Sequence, residues 1–408
     1  MFSETIELRG HIIDSLILPK VLDEILTRGA GFTIAEIKIG QNRVDQSYAR
    51  IQVSAPARET LDEMLLRLRQ HGAEVAARQD VNLAPAPADG IFPDDFYVTT
   101  NQQTFVQFGG KEIPVDAPMM DSAVAVNVAG GTARTLKFAD VKKGDQVVVG
   151  QGGIRVQPAE RETSRTSVFQ FNANVSAETP KTATIHELAR EFRRVRESGE
   201  NILVVAGPSV VHTGAGSYLE KLIKLGFVQK LFTGNGLAVY DVESALFGTS
   251  LGVHLERGAL VDSGHDNHMR AINTIRKAGG INAAVEQRIV TRGIMHACVR
   301  HGVDIVLSGS IRDDGPIPGV TTDAVEAQRI MRDKLQDVSL VLMIGSMLHS
   351  LAVVNMLPAA VKTVSVDIDP RAVARLTSQK AFQSVGLVTD LEPFLRELTD
   401  QLDTAVAA

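Results

Sequence analysis

The chain contains a single cysteine, Cys298, and no tryptophan. One thiol cannot build an internal disulfide framework or the clustered thiolate ligands of a structural zinc site. Aromatic residues are only 5% of the sequence, too few for the stacking platforms on which single-stranded nucleic acids lie. No basic block stands out, and 42 Lys and Arg against 48 Asp and Glu give a formal net charge of −6. Phosphate-binding surfaces usually carry the opposite sign, so nucleic acid is not expected as a partner. No apolar run approaches the roughly 20 residues of a membrane-spanning helix. The opening Met1-Phe2-Ser3-Glu4-Thr5 lacks a basic stretch leading into an apolar core, so no secretory leader is expected. These absences imply a reducing, cytoplasmic setting.

What is present is length. A chain of 408 residues exceeds a single core, and two or three domains are expected. Over residues 1–90, Thr5 to Arg9 alternates polar and apolar, and Val21, Leu22, Ile25 and Leu26 share a helical face. Phe32–Ile39 and Ala49–Val53 read as paired strands, Leu61, Met64, Leu65 and Leu68 as a second helix, and a last strand follows His71-Gly72. That βαββαβ order predicts a ferredoxin-like α+β unit. Ala84-Pro85-Ala86-Pro87-Ala88-Asp89-Gly90 reads as a connector. Residues 91–165 alternate short β-rich runs with glycine pairs and predict a small β-barrel or sandwich.

From 180 to 408 the rhythm changes. Asn201–Ala206, Asp304–Leu307, Val338–Ile344 and Val361–Val366 are nearly continuous apolar runs, as in strands covered on both faces, with amphipathic stretches such as Ala324–Leu335 between them. This alternation predicts a doubly wound, Rossmann-like parallel sheet whose ligand crevice lies at the carboxyl ends of the strands. The strand ends carry small or polar residues: Gly207-Pro208-Ser209, Thr233-Gly234-Asn235-Gly236, Ser308 to Pro316, and Gly345-Ser346-Met347-Leu348-His349. Gly214 and Gly216 invite the three-glycine dinucleotide fingerprint, but Leu219 stands where the third glycine belongs. The better anion site is the helix entered through Ser346, whose first amides can hold a diphosphate. Asp367 closes its strand roughly 20 residues beyond that turn, where a carboxylate accepts ribose hydroxyls and repels a 2′-phosphate, favouring NAD. Read blandly, Asp367 is a cap or turn residue, and Ser346 and His349 cap a helix.

Seven of the ten histidines fall beyond residue 200. His265 and His268, one helical turn apart, lack a third ligand motif, so no metal is expected. Acid–base use suits an imidazole near neutrality, with capping or solvation as the ordinary alternative. Arg312, Asp313 and Asp314 form a charged knot, either a structural ion pair or a clamp for a substrate carboxylate. On side-chain chemistry alone, Arg312 is the candidate clamp, and Asp313 and His265 are the candidate proton carriers.

Ala206-Gly207-Pro208, Val211-His212-Thr213-Gly214, Phe247–Gly252, Gly309–Pro316, Met347–Ser350 and Val366–Pro370 resemble the archaeal-type ornithine cyclodeaminases. The likeness extends to Phe96–Asn101 and Gly152–Val156. That family also supplies the C-terminal part of cyanobacterial arginine dihydrolases, and its N-terminal portion is identified as a lysine-ketoglutarate reductase/saccharopine dehydrogenase domain. The resemblance implies an NAD-dependent lyase that turns L-ornithine into L-proline and ammonia. It implies cofactor contacts at Asn235, Gly236, Asp314, Ser346, Met347, Leu348, His349, Asp367, Asp390 and Leu391. Gly236 and Ser346 stand where the family has alanine and threonine, and both substitutes are small. The dihydrolase half is missing, so arginine is not an expected substrate. Family members are assemblies, which implies a homo-oligomer, dimer or tetramer. Two other classes stay open: a net oxidoreductase acting on lysine or saccharopine, and a non-catalytic regulatory protein that binds NAD or an amino acid.

Overall fold

The computed structural model describes residues 2–13, 16–41, 45–75, 79–157, 181–254, 265–378 and 383–403. The chain divides into two compact units, Met1–Arg165 with Asn355–Ala360, and Thr166–Val354 with Val361–Ala408.

The first unit begins with β1 (Phe2–Gly10), α1 (Ile17–Thr27), β2 (Gly31–Lys38), β3 (Ser47–Ala55), α2 (Arg58–Gln70) and β4 (Glu74–Val75). Their sheet has the order β2-β3-β1-β4, with antiparallel pairing throughout. This is the ferredoxin-like arrangement that the βαββαβ order predicts. Alternation places Ile6, Leu8, Ile51 and Val53 on one face, where they are buried with Val21, Ile25, Leu61, Met64 and Leu68 of the two helices.

Next come β5 (Asn82–Pro85), β6 (Gln103–Phe108), β7 (Lys111–Asp116), β8 (Ala123–Asn127), β9 (Thr132–Leu136), β10 (Gln146–Val149) and β11 (Ile154–Gln157). They form one seven-stranded sheet in the order β11-β6-β7-β9-β8-β10-β5. Neighbouring residues serve opposite faces: Val124 and Val148 join one apolar cluster, Ala123 and Val147 the other. The proline-rich connector is partly strand, because Ala84 and Pro85 pair with Val147 and Gln146. Pro85 sits on the edge strand β5, where a missing N–H is tolerated.

The second unit opens with α3 (Lys181–Glu197), β12 (Asn201–Ala206), α4 (Ser209–His212), α5 (Gly216–Lys224), β13 (Lys230–Gly234) and α6 (Asn235–Phe247). A short pair follows, β14 (Thr249–Ser250) and β15 (Val253–His254), then α7 (His265–Ala278), α8 (Ile281–Glu286) and α9 (Ile294–His301). The remainder is β16 (Asp304–Ser308), α10 (Ala324–Lys334), β17 (Val338–Ile344), α11 (Met347–Met356), β18 (Lys362–Asp367), α12 (Pro370–Ser378), β19 (Ser384–Val388) and α13 (Leu391–Asp403). The six longer strands form one parallel sheet in the order β16-β13-β12-β17-β18-β19. Ile202 to Ala206 and Leu340 to Ile344 are wholly buried because helices cover both faces, which is why these strands read as unbroken apolar runs. The direction of winding reverses between β12 and β17, so their carboxyl ends diverge into a crevice. Among the described residues no helix is long and apolar enough to cross a membrane.

Candidate dinucleotide site

The crevice floor is made by two turns. The Gly207 amide donates to the Ile344 carbonyl at 2.9 Å, and the Ser209 hydroxyl donates to the Gly345 carbonyl at 3.2 Å. A Cβ at Gly207 would overlap the Gly345 carbonyl, and one at Gly345, whose φ is +60°, would overlap the Ser209 hydroxyl. Only glycine allows the turns after β12 and β17 to close on each other. A Cβ on Gly345 would also lie 3.0 Å from Leu391 Cδ1, which brings the start of α13 beneath the same turn.

Beyond Gly345 the chain enters α11, with the Leu348 side chain 77% exposed at its open first turn. The Ser346 hydroxyl lies 2.9 Å from His349 Nδ1. The imidazole crosses toward β13, where a Cβ on Gly234 would lie 3.1 Å from His349 Cε1. Burial holds the His349 imidazole below its ordinary pKa, and the negative charge of Asp313 works against that shift. Asp367, half-buried, ends β18 and accepts the Asp369 amide at 2.9 Å. Asp390 accepts the Glu392 amide at 3.3 Å and caps α13.

On the other side of the crevice, Asn235 opens α6 with its side chain buried, accepting the Ile317 amide at 3.1 Å. It therefore fixes the loop after β16. A Cβ on Gly236 would lie 3.4 Å from Pro208 Cγ and 3.7 Å from Tyr240 Cε2. In the β16 loop, Asp313 accepts the Ser310 amide at 2.8 Å, and Arg312 is exposed. Asp314 Oδ2 lies 3.4 Å from His268 Nε2. His265 is the first residue of α7, and its side chain lies outside the described residues. The structure thus gathers the expected cofactor residues at the carboxyl ends of β13, β16, β17, β18 and β19.

Three side chains escaped the sequence reading. Tyr240, Asp241 and Glu243 lie in α6, a helix apolar enough to suggest plain core. Asp241 is buried and accepts the amides of Ile294 and Met295, both at 2.8 Å, at the first turn of α9. Burial pushes its carboxyl up to about 7, against the pull of those two amides. Glu243 is fully buried and accepts from the Thr249 hydroxyl at 2.8 Å, the Gly252 amide at 3.1 Å and the Leu251 amide at 3.2 Å. Two acids separated by one residue inside an apolar helix were the available signal.

A parallel sheet with this strand order and a glycine-lined crevice at the reversal defines a doubly wound, dinucleotide-binding protein. Three family models cover the chain: the LOR/SDH bifunctional enzyme conserved region over residues 3–102, the first region of the arginine dihydrolase ArgZ-like C-terminal part over 103–185, and its Rossmann fold over 186–398. The chain belongs to the family formed by the ornithine cyclodeaminases of archaea and the C-terminal part of ArgZ-like arginine dihydrolases. It is 47% identical to an ornithine cyclodeaminase of Methanocaldococcus jannaschii over 99% of this chain and 97% of that one. The apo structure of ArgZ, an arginine dihydrolase from the ornithine-ammonia cycle in cyanobacteria, matches at a TM-score of 0.84 and 36% identity, over 99% of this chain and 59% of that chain. AgrE, solved as a ternary complex with ornithine and NAD+, matches at a TM-score of 0.55 and 39% identity, over 100% of this chain and 58% of that chain.

Proposed function

We propose that this protein is an ornithine cyclodeaminase that converts L-ornithine into L-proline and ammonia with a recycled NAD. The observation that carries this reading is likeness over nearly the whole chain to proteins named ornithine cyclodeaminase. The crevice fits the cofactor: bare backbone at Gly207 and Gly345, an open helix start at α11, and a carboxylate at the end of β18.

The amides of Ser346, Met347 and Leu348, at the entry to α11, would hold the diphosphate, where hydrogen bonds and helix dipole act together. Asp367 accepts ribose hydroxyls, with Asp390 and Leu391 beside it. Asn235, Gly236, Asp314 and His349 would complete the dinucleotide site. When bound, the nicotinamide supplies a reversible hydride acceptor, so the product leaves at the oxidation level of the substrate. The chain's own work is to orient the substrate and move protons. Arg312 binds the substrate carboxylate, and Asp313 and His265 carry protons. Cytoplasmic location and assembly as a dimer or tetramer belong to the same proposal, and light scattering reads the assembly.

Purified protein incubated with ornithine and NAD+ is expected to yield proline and ammonia in equal amounts without net reduction of NAD. Accumulation of reduced nicotinamide without proline would instead mark an amino-acid oxidoreductase. Binding without turnover would mark a regulatory protein.

A further inference from the structure

Glu243, fully buried, and His268, partly buried, form a pair that none of the roles above uses. The Glu243 carboxylate, fully buried, already takes three donors from Thr249, Leu251 and Gly252. Burying a carboxylate is costly unless it is hydrogen-bonded or paired with a positive charge. Among the described residues no lysine or arginine pairs with it, and the nearest cationic candidate is His268, whose Nδ1 lies 3.8 Å from Glu243 Oε2. That Nδ1 is buried and makes no hydrogen bond. The opposite ring nitrogen, Nε2, lies 3.4 Å from Asp314, a residue of the crevice.

The neighbourhood fixes this ring. His268 lies in the first turns of α7, and the preceding Asn267 donates to the Thr249 hydroxyl at 3.0 Å, tying α7 to the group that serves Glu243. The Tyr240 ring lies against His268 at 5.0 Å between centroids and against His212 at 4.6 Å. Tyr240 also borders the place where a Gly236 side chain would stand. Among the described residues, the titratable and charged groups against His268 are Glu243 and Tyr240 of α6 and Asp314 of the β16 loop, with Arg312, Asp313 and His212 of α4 acting on or packed against Tyr240.

We propose that His268 is a catalytic residue for the amine protons of the substrate, with Glu243 as its positioning residue. This rests on the cyclodeaminase reading. Nδ1–H faces Glu243, and the Nε2 lone pair, beside Asp314, receives the substrate's α-ammonium. One N–H bond of that ammonium breaks and one forms on Nε2, which frees the nitrogen lone pair whose push would let the α-carbon give its hydride to a bound nicotinamide. The δ-ammonium gives its proton to a second carrier and attacks the resulting imine carbon. A proton shifts from the ring nitrogen to the departing nitrogen, and the carbon–nitrogen bond breaks to release ammonia. His268 returns its proton to that ammonia, the second carrier returns its own to the ring nitrogen, and the hydride returns to carbon. Ornithine cation becomes proline and ammonium with no proton, electron or co-reactant left over. The two carriers this balance demands explain why one acid–base group is insufficient.

The test compares full-length wild type, His268→Gln and Glu243→Gln, each first checked for NAD affinity and thermal transition. His268→Gln is expected to bind NAD within about twofold of wild type while kcat falls roughly 100- to 10,000-fold. Added imidazole restores part of the lost rate, which a purely structural role would not allow. Glu243→Gln lowers kcat while KM and NAD affinity stay near wild type, because the ring loses the carboxylate that faces its Nδ1. If Glu243→Gln does not fold, the imidazole rescue of His268→Gln decides alone. A folded His268→Gln with kcat within threefold of wild type, or with no response to imidazole, overturns the proposal while leaving the cyclodeaminase reading intact. A folded, NAD-binding wild type that makes no proline from ornithine overturns both.

Discussion

Asp367 ends β18 with one carboxylate oxygen holding the Asp369 amide, so the side chain is already oriented for the ribose contact proposed for it. Replacing Asp367 with Ser is expected to weaken NAD by roughly 10- to 100-fold, the range for a lost hydrogen bond to a charged group. NADP should lose less, since the carboxylate that repels its 2′-phosphate is gone, and calorimetric titration with both nucleotides measures the difference. His349 carries a second prediction. Burial sets its folded pKa below the ordinary 6.5, so between those values the unfolded chain holds more protons. Its contribution to stability therefore rises with pH through that window and is lost as pH falls below it. Thermal unfolding across the window should show this slope. His349→Asn should reduce the slope without abolishing it, because His71, His212 and His296 are shifted in the same direction by burial.

At the scale of elements, α6 and α9 are joined by one carboxylate. Asp241 receives both of the first amides of α9, and a Cβ at Gly293 would press on its oxygens at 2.8 Å. Asp241→Ala leaves two buried donors without an acceptor, at about 1–3 kcal/mol each, so denaturant unfolding should show a large loss of stability. Gly293→Ala should destabilise for two reasons, the contact and a backbone φ of +97°. The folded pKa of Asp241, about 7, lies above its unfolded 3.8, so its stabilising contribution is complete below 3.8 and disappears as pH rises through 7. Asp241→Asn should remove that pH dependence. None of this was legible in the sequence, because the donors arrive from more than fifty residues away, as does the Ile317 amide on Asn235. The strands were legible for the opposite reason. A parallel strand buried on both faces leaves a local apolar run, and Val338–Ile344 coincides with β17. The residues after each strand could thus be named as site candidates, but not the contacts each one makes.

For the whole molecule, ligand binding offers a test that needs no mutation. NAD at about 100 times its Kd should stabilise the folded second unit by roughly 2.7 kcal/mol and raise its calorimetric transition. What alternation in the sequence could not reveal was strand order, which sets the turn after β12 beside the turn after β17. That order has a further consequence. Ser346, Asp367 and Asp390 follow β17, β18 and β19, whereas Asn235, Arg312 and Asp314 follow β13 and β16, across the central reversal. Under the proposed function, the two sides of the dinucleotide site thus fall to separate stretches of the gene. Mutation can retune one side with little change to the other, provided that the contacts across the reversal, Gly207 with Gly345 and Gly234 with His349, are inherited together.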